Sequence, residues 1–260
     1  MIAHYGTGYE RDRLKAGTSR IEFARTTELL GRHLPPPPAA ALDVGGGPGA
    51  YASWLANAGY RVHLVDPVPL HVEQASEASA GGTLFTASLG DARHLEDGDD
   101  SYDVVLLLGP LYHITDRDER VAALAEAGRV VRPDGVVVAA AISRFASLLD
   151  GLMHGYLSDP TFHSIVERDL ADGQHRNPSD RQEWFTTAYF HRPDELAAEM
   201  EDAGLVFDAL FGVEGPGWLA GSWDDPSGRD DILRVARALE REPTVIGVSA
   251  HLLAFARGTT

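Results

Sequence analysis

The segment Leu42-Asp43-Val44-Gly45-Gly46-Gly47-Pro48-Gly49-Ala50 puts four glycines within five residues. Glycine lets a backbone approach a ligand where a Cβ would clash. A helix starting just beyond would offer its first N–H groups to a carboxylate or phosphate. So many glycines cost too much chain entropy for a connector that holds nothing. Three acids are spaced along the same region. Asp43 precedes the turn, Asp66 stands in Val65-Asp66-Pro67, and Asp91 stands in Gly90-Asp91-Ala92. An acid at 66 can accept from both hydroxyls of a ribose, and an acid at 91 from an adenine amino group. His113 follows the apolar run ending in Leu108-Gly109-Pro110-Leu111-Tyr112. A neutral imidazole there could serve as general base, or could pack against the next helix.

These residues need a frame. Residues 18–34 have Phe23, Thr27, Leu30 and Leu34 at helical spacing, and Pro35–Pro38 ends that helix. Strand, turn and helix then alternate. Strands are expected at 41–44, 61–65, 83–87, 102–108 and 136–142, with helices at 50–58 and 70–79. Thr115 with Asp118 suggests a capping box opening another helix. Such alternation means a parallel sheet with right-handed crossovers. Periodicity weakens from 143 to 190, which reads as an inserted lid of helices and loops. It resumes with a helix at 193–204, a strand at 205–211, a helix around Ile232, Val235 and Leu239, and a last strand at 248–255.

Two cofactor classes fit the glycine turn. Gly45, Gly47 and Ala50 match the dinucleotide pattern G-x-G-x-x-A, with Asp66 downstream. Asp43, Gly45, Gly47 and Gly49 match an acid-x-Gly-x-Gly-x-Gly pattern. Taken in order, LDVGGGPG, VDP, GDA, YDVVLLLGPLYH and RVVRPDG resemble the successive motifs of class I S-adenosylmethionine-dependent methyltransferases that modify small metabolites. The resemblance covers about residues 40–145.

It implies a Rossmann-like α/β fold with a seven-stranded, mostly parallel sheet of order 3-2-1-4-5-7-6, the last strand antiparallel. The N-terminal helical segment would span 1–38. The methyltransferase domain would span 39–260, with its lid at about 145–190. It also implies S-adenosylmethionine as cofactor, leaving as S-adenosylhomocysteine. Asp43 would meet the methionine ammonium, Gly45, Gly47 and Gly49 its backbone, Asp66 and Pro67 the ribose side, and Asp91 and Ala92 the adenine. Leu108 and Gly109 would face the methionine part. Tyr112, His154, Tyr189, His191 and Arg192 are candidates for the acceptor pocket. Tyr5, Tyr9 and Arg20 are candidates to close over the cofactor. His163 and His175 also lie in the lid, but no pair has metal-ligand spacing, so no metal is expected.

Composition narrows the partners. The 260 residues carry 39 acids against 22 bases, a net charge of −17, and no cysteine. Disulfides and thiolate metal sites are excluded, and no basic track for nucleic acid stands out. The first residues lack the apolar core of a signal peptide, and apolar runs fall short of the ~20 residues a membrane helix needs. A cytoplasmic monomer or homodimer acting on a small molecule is expected. The competing enzyme class, an NAD(P)-dependent oxidoreductase, would need a tyrosine–lysine or similar pair, and Lys15 is the chain's single lysine. A repurposed binder of S-adenosylmethionine would carry the same cofactor residues.

Overall fold

The computed structural model describes residues 14, 17, 19–79, 84–179, 181–220 and 223–259. Tyr5 and Tyr9 lie outside the described residues. The strands are β1 (Ala40–Val44), β2 (Arg61–Asp66), β3 (Phe85–Leu89), β4 (Tyr102–Leu107), β5 (Val131–Ser143), β6 (Gln174–His175), β7 (Ala188–His191), β8 (Val206–Gly212) and β9 (His251–Arg257). The helices are α1 (Ser19–His33), α2 (Ala50–Asn57), α3 (Pro69–Ser79), α4 (Arg117–Val130), α5 (Ala146–His154), α6 (Pro160–Asp172), α7 (Pro193–Asp202) and α8 (Pro226–Leu239).

The main sheet runs β3-β2-β1-β4-β5-β9-β8. The first five strands are mutually parallel, and β9 is antiparallel to both β5 and β8. With β8 as sixth and β9 as seventh strand, this is the order the resemblance implied. The short pair β6–β7 is an addition. β7 runs parallel to the end of β5, with Ile142 opposite Phe190.

Strand residues alternate between two cores, as the pleat requires. Leu42, Val105, Leu107, Val137, Ala139, Leu252 and Ala254 face α4 and α7. Ala41, Leu64, Val104, Leu106, Val138, Leu253 and Phe255 face α1 and α2. Because β4 and β5 are covered on both faces, apolar residues run consecutively through their centres, as Val104–Leu107 and Val136–Ile142 do.

Some element ends differ from the sequence reading. The last strand starts at 251, because Ile246–Val248 form a tight 3₁₀ turn. The third strand starts at Phe85, and residue 83 lies outside the described residues. The cap of α4 is Asp116, whose side chain accepts from the Glu119 amide, so the Thr115–Asp118 box does not form.

The segment 146–190 has a small core of its own, built by Phe162, Ile165, Val166 and Trp184. Its centre is polar and fully buried. Ser147 Oγ donates to Asp169 Oδ2 over 2.6 Å. His175 sits with Nδ1 2.8 Å from the same oxygen and Nε2 2.9 Å from the Trp184 carbonyl. Replacing Asp169 by Ala strands both partners, which costs about 3–5 kcal/mol when a buried pair is broken. The D169A variant is therefore expected to show faster limited proteolysis within 146–190, with cofactor affinity retained.

Candidate active site

Two cavities open at the C-terminal ends of β1, β2 and β4, where open parallel sheets bind ligands. One, of 310 Å³, is bounded by Asp66, Pro67, Asp91, Ala92 and His113 among others. The other, of 410 Å³, is bounded by Asp43, the glycine turn, Tyr51, Leu108 and, from α1, Phe23. Gly45, Gly47, Gly109 and Tyr112 belong to both, so the cavities meet over the turn.

The turn is shaped by two close approaches. Gly45 has φ +68°, and a Cβ on it would lie 2.8 Å from the Pro110 ring. A Cβ on Gly46 would lie 2.6 Å from Asp43 Oδ2 and 2.7 Å from Leu64. Side chains there would fill the space the turn leaves over β1 and β4.

Asp66, 4% exposed, ties the turn to the end of β2. Its Oδ2 accepts from the Gly47 amide and its Oδ1 from the Val68 amide, each over 2.9 Å. His71 Nδ1 lies 3.1 Å from Oδ1. The first turn of α3 therefore supplies a ring that fixes this carboxylate.

Asp43 is the opposite case. It is fully buried, and neither carboxylate oxygen has a hydrogen-bond partner of ordinary geometry. Burial, together with the charge of Asp66, pushes its carboxyl up to about 7, against a smaller lowering by the Ala52 amide. A buried carboxylate without a partner is costly, and this one borders the larger cavity. A cation placed there would recover the lost interaction.

Asp91 sits half-exposed at the rim of the smaller cavity, clasped by Arg93, which also reaches Glu119. The Arg93 hydrogen bonds hold its carboxyl below the usual range, against a smaller desolvation effect. His113 borders the same cavity, its ring stacked 6.0 Å from Phe185 and edge-on to Tyr112 at 4.6 Å.

The remaining candidates border neither cavity. Tyr189 and His191 are built into a buried ion network on the far side of β7. Arg120 donates to both oxygens of Glu199, over 2.6 Å and 3.0 Å, and stacks its guanidinium 3.7 Å over the Tyr189 ring. His191 Nε2 lies 3.2 Å from Glu199. The pattern of β7 alternates, and α7 offers a carboxylate, so these polar groups turn inward to it. Arg192 precedes α7 on the surface, with its amide donating to Glu195. His154 is exposed and pairs with Asp150, as His163 does with Glu167. Arg20 pairs with Asp224. Phe23, Tyr51 and His71 were not singled out from sequence. His71 alone carried a signal, lying one helical turn beyond the acid at 66.

Residues 41–135 match the family model described as a methyltransferase domain. A ubiquinone biosynthesis O-methyltransferase of Azorhizobium caulinodans is 32% identical over 184 residues, covering 66% of this chain and 63% of that protein. Residues 41–135 are thus a methyltransferase domain, and the chain has the fold of the S-adenosylmethionine-dependent methyltransferases. It spans a little under two thirds of that relative's length.

Solved structures share the fold. A methyltransferase from Mesorhizobium loti superposes with a TM-score of 0.63 at 15% identity, over 91% of this chain and 99% of that one. The [4+2]-cyclase SpnF superposes with a TM-score of 0.58 at 16% identity, over 91% and 81%. Among the described residues no helix is long and apolar enough to cross a membrane.

Proposed function

We propose that this chain transfers the methyl group of S-adenosylmethionine to a hydroxyl oxygen of a small molecule by in-line displacement. The observation that carries the cofactor reading is Asp43, a buried carboxylate with no hydrogen-bond partner of ordinary geometry, bordering a cavity beside the glycine turn. An α-ammonium group supplies the missing partner, whereas a pyrophosphate would bring like charge against it. The oxygen acceptor rests on the likeness to the Azorhizobium relative, an O-methyltransferase. A net charge of −17 favours a small molecule over nucleic acid.

When bound, the cofactor supplies an electrophilic methyl on a positively charged sulfur. The chain's own work is placement. Asp43 receives the ammonium, and Gly45, Gly47, Gly49 and Gly109 let the methionine part lie close to the backbone. Asp66 and Pro67 hold the ribose side. Ala92 and Asp91 face the adenine, with Arg93 fixing the carboxylate. Leu108, Tyr112 and Phe23 exclude water near the shared mouth of the two cavities. Holding donor and acceptor in line contributes at best roughly 7–11 kcal/mol to such a reaction.

The experiment is a pair of titrations, S-adenosylhomocysteine against NADH, followed by methyl transfer from labelled cofactor to 3,4-dihydroxybenzoate as a probe acceptor. Binding of the nucleoside, no binding of NADH and label in the probe are expected. NADH binding would return the oxidoreductase reading; nucleoside binding without transfer to any hydroxylated probe would favour a repurposed binder. Asp66→Ala is expected to weaken S-adenosylhomocysteine binding by about 1–3 kcal/mol, because it removes an acceptor for the ribose. It also unties the Gly47 and Val68 amides. Calorimetry at fixed pH reads the change, and an unaltered affinity would remove Asp66 from the ribose site.

A further inference from the structure

We infer that His251, oriented by Glu214, is the general base that takes the proton from the acceptor hydroxyl; this rests on the O-methylation proposed above. His251 opens β9, opposite Ile142 at the end of β5, and Glu214 follows β8. Both therefore stand at the same end of the sheet as the glycine turn. Leu253 and Phe255, two and four residues further along β9, belong to the core under α1 and α2. By the pleat, His251 shares that face, as do Asp43 in β1 and Leu108 after β4. The larger cavity opens on that face.

Helix α1 links the two places. Phe23 borders the larger cavity and packs 5.3 Å from Tyr51. Its neighbour Glu22 brings a carboxylate to within 4.8 Å of ligand-type atoms of Glu214 and His251. From β4 across β5 to β9 is two strand spacings, roughly 10 Å. His251 itself lines neither cavity, and a ring-sized acceptor extending from the larger one over the end of β5 would span that gap.

The dyad has the geometry of a held base. Glu214 is 1% exposed and accepts from Ser249 Oγ over 2.8 Å, from the His251 amide over 3.0 Å and from His251 Nδ1 over 2.5 Å. With Nδ1–H committed to the carboxylate, Nε2 is the basic nitrogen, and a charge formed on the ring is met by Glu214. Both Glu214 oxygens are already engaged by donors, which favours an orienting role over metal ligation. His113, by contrast, borders the cavity holding Asp66 and Asp91. In the step, the acceptor O–H proton goes to Nε2 as its oxygen forms the bond to the methyl carbon. The methyl carbon–sulfur bond breaks with its electron pair left on sulfur, giving a methyl ether, a neutral thioether and an imidazolium.

The test uses the whole chain saturated with S-adenosylhomocysteine and titrated with 4-nitrocatechol, whose visible absorption reports ionisation, at a pH where the free probe is un-ionised. The wild type is expected to bind it as the phenolate, and His251→Gln, which keeps a donor for Glu214, as the phenol. With 3,4-dihydroxybenzoate, kcat of His251→Gln is expected to fall about 100-fold or more, with S-adenosylhomocysteine affinity unchanged. Glu214→Gln is expected to lie between. If His251→Gln does not fold, His251→Asn is read the same way. A phenolate signal that survives in the His251 variant overturns the inference. Activity abolished by EDTA and restored by Mg²⁺ also overturns it, giving the cluster to a metal. Wild-type protein that binds S-adenosylhomocysteine but ionises no probe overturns the inference and the hydroxyl acceptor together. Failure to bind S-adenosylhomocysteine overturns the cofactor reading itself.

Discussion

At pH 8, Asp43→Asn is expected to melt above the wild type while losing S-adenosylhomocysteine binding. Both effects follow from one buried group. Asp43 ionises with a pKa pushed up to about 7 by burial and by Asp66, against 3.8 for an ordinary aspartate. Between those two values the folded chain binds more protons than the unfolded chain, so stability falls as pH rises. The contribution is fully present below the ordinary pKa and is lost as pH passes through 7. At about 1.4 kcal/mol per unit, the ionised carboxylate costs the cofactor-free protein up to about 4 kcal/mol above neutrality. An uncharged amide of the same shape removes that cost. A rise on the order of 5 °C in the melting temperature of the cofactor-free variant is expected, vanishing near pH 4. Calorimetry should show binding weakened roughly 100-fold, the loss of a charge-assisted hydrogen bond. Wild-type affinity should fall about tenfold per unit as pH drops below 7, and the variant's should not. A variant no more stable than wild type at pH 8 would mean the carboxylate already has a partner.

Glu199→Gln is expected to destabilise the protein by about 3–5 kcal/mol, the range for breaking one side of a buried ion pair. Burial alone would raise the Glu199 carboxyl. Hydrogen bonds and charge from His191 and Arg120 outweigh it and hold it at about 2, against 4.5 for an ordinary glutamate. The sign is opposite to that at Asp43. This stability is present above pH 4.5 and is lost as pH falls toward 2, by about 3 kcal/mol in all. Acid unfolding of the wild type should carry that component, and the variant should lack it. The loss should also reach the cofactor. Arg120 Nη1 donates to the carbonyls of Ile114 and Thr115, and both residues border the smaller cavity. Denaturant titrations between pH 2 and 7 read the first effect and S-adenosylhomocysteine calorimetry the second. Equal acid profiles in the two proteins would remove the network from the stability account.

Much of the lining of the two cavities was legible because local backbone geometry writes it into consecutive residues. A turn that must admit a ligand needs Gly45 and Gly46 in place. Asp43 stands one residue before the end of β1, Asp66 ends β2, and Asp91 lies two residues beyond β3. Strand order came through resemblance, since periodicity says which segments pair with helices and not which strand lies beside which. The lid residues were not legible as such. Tyr189, His191 and Arg192 read as a polar cluster near a pocket, and the packing of β7 against α7 instead encloses the first two with Arg120 and Glu199.

The glycine bend could be read from consecutive residues, because its shape depends on neighbours a few positions away. Which polar groups find partners follows from the packing of distant elements. Asp43 is stranded, Asp66 tied down, Glu199 charged at low pH and Glu214 set against His251, 37 residues later. Burial and partnership arise from contacts between residues far apart in the chain, and the energy of a charge depends on those contacts more than on its neighbours in sequence.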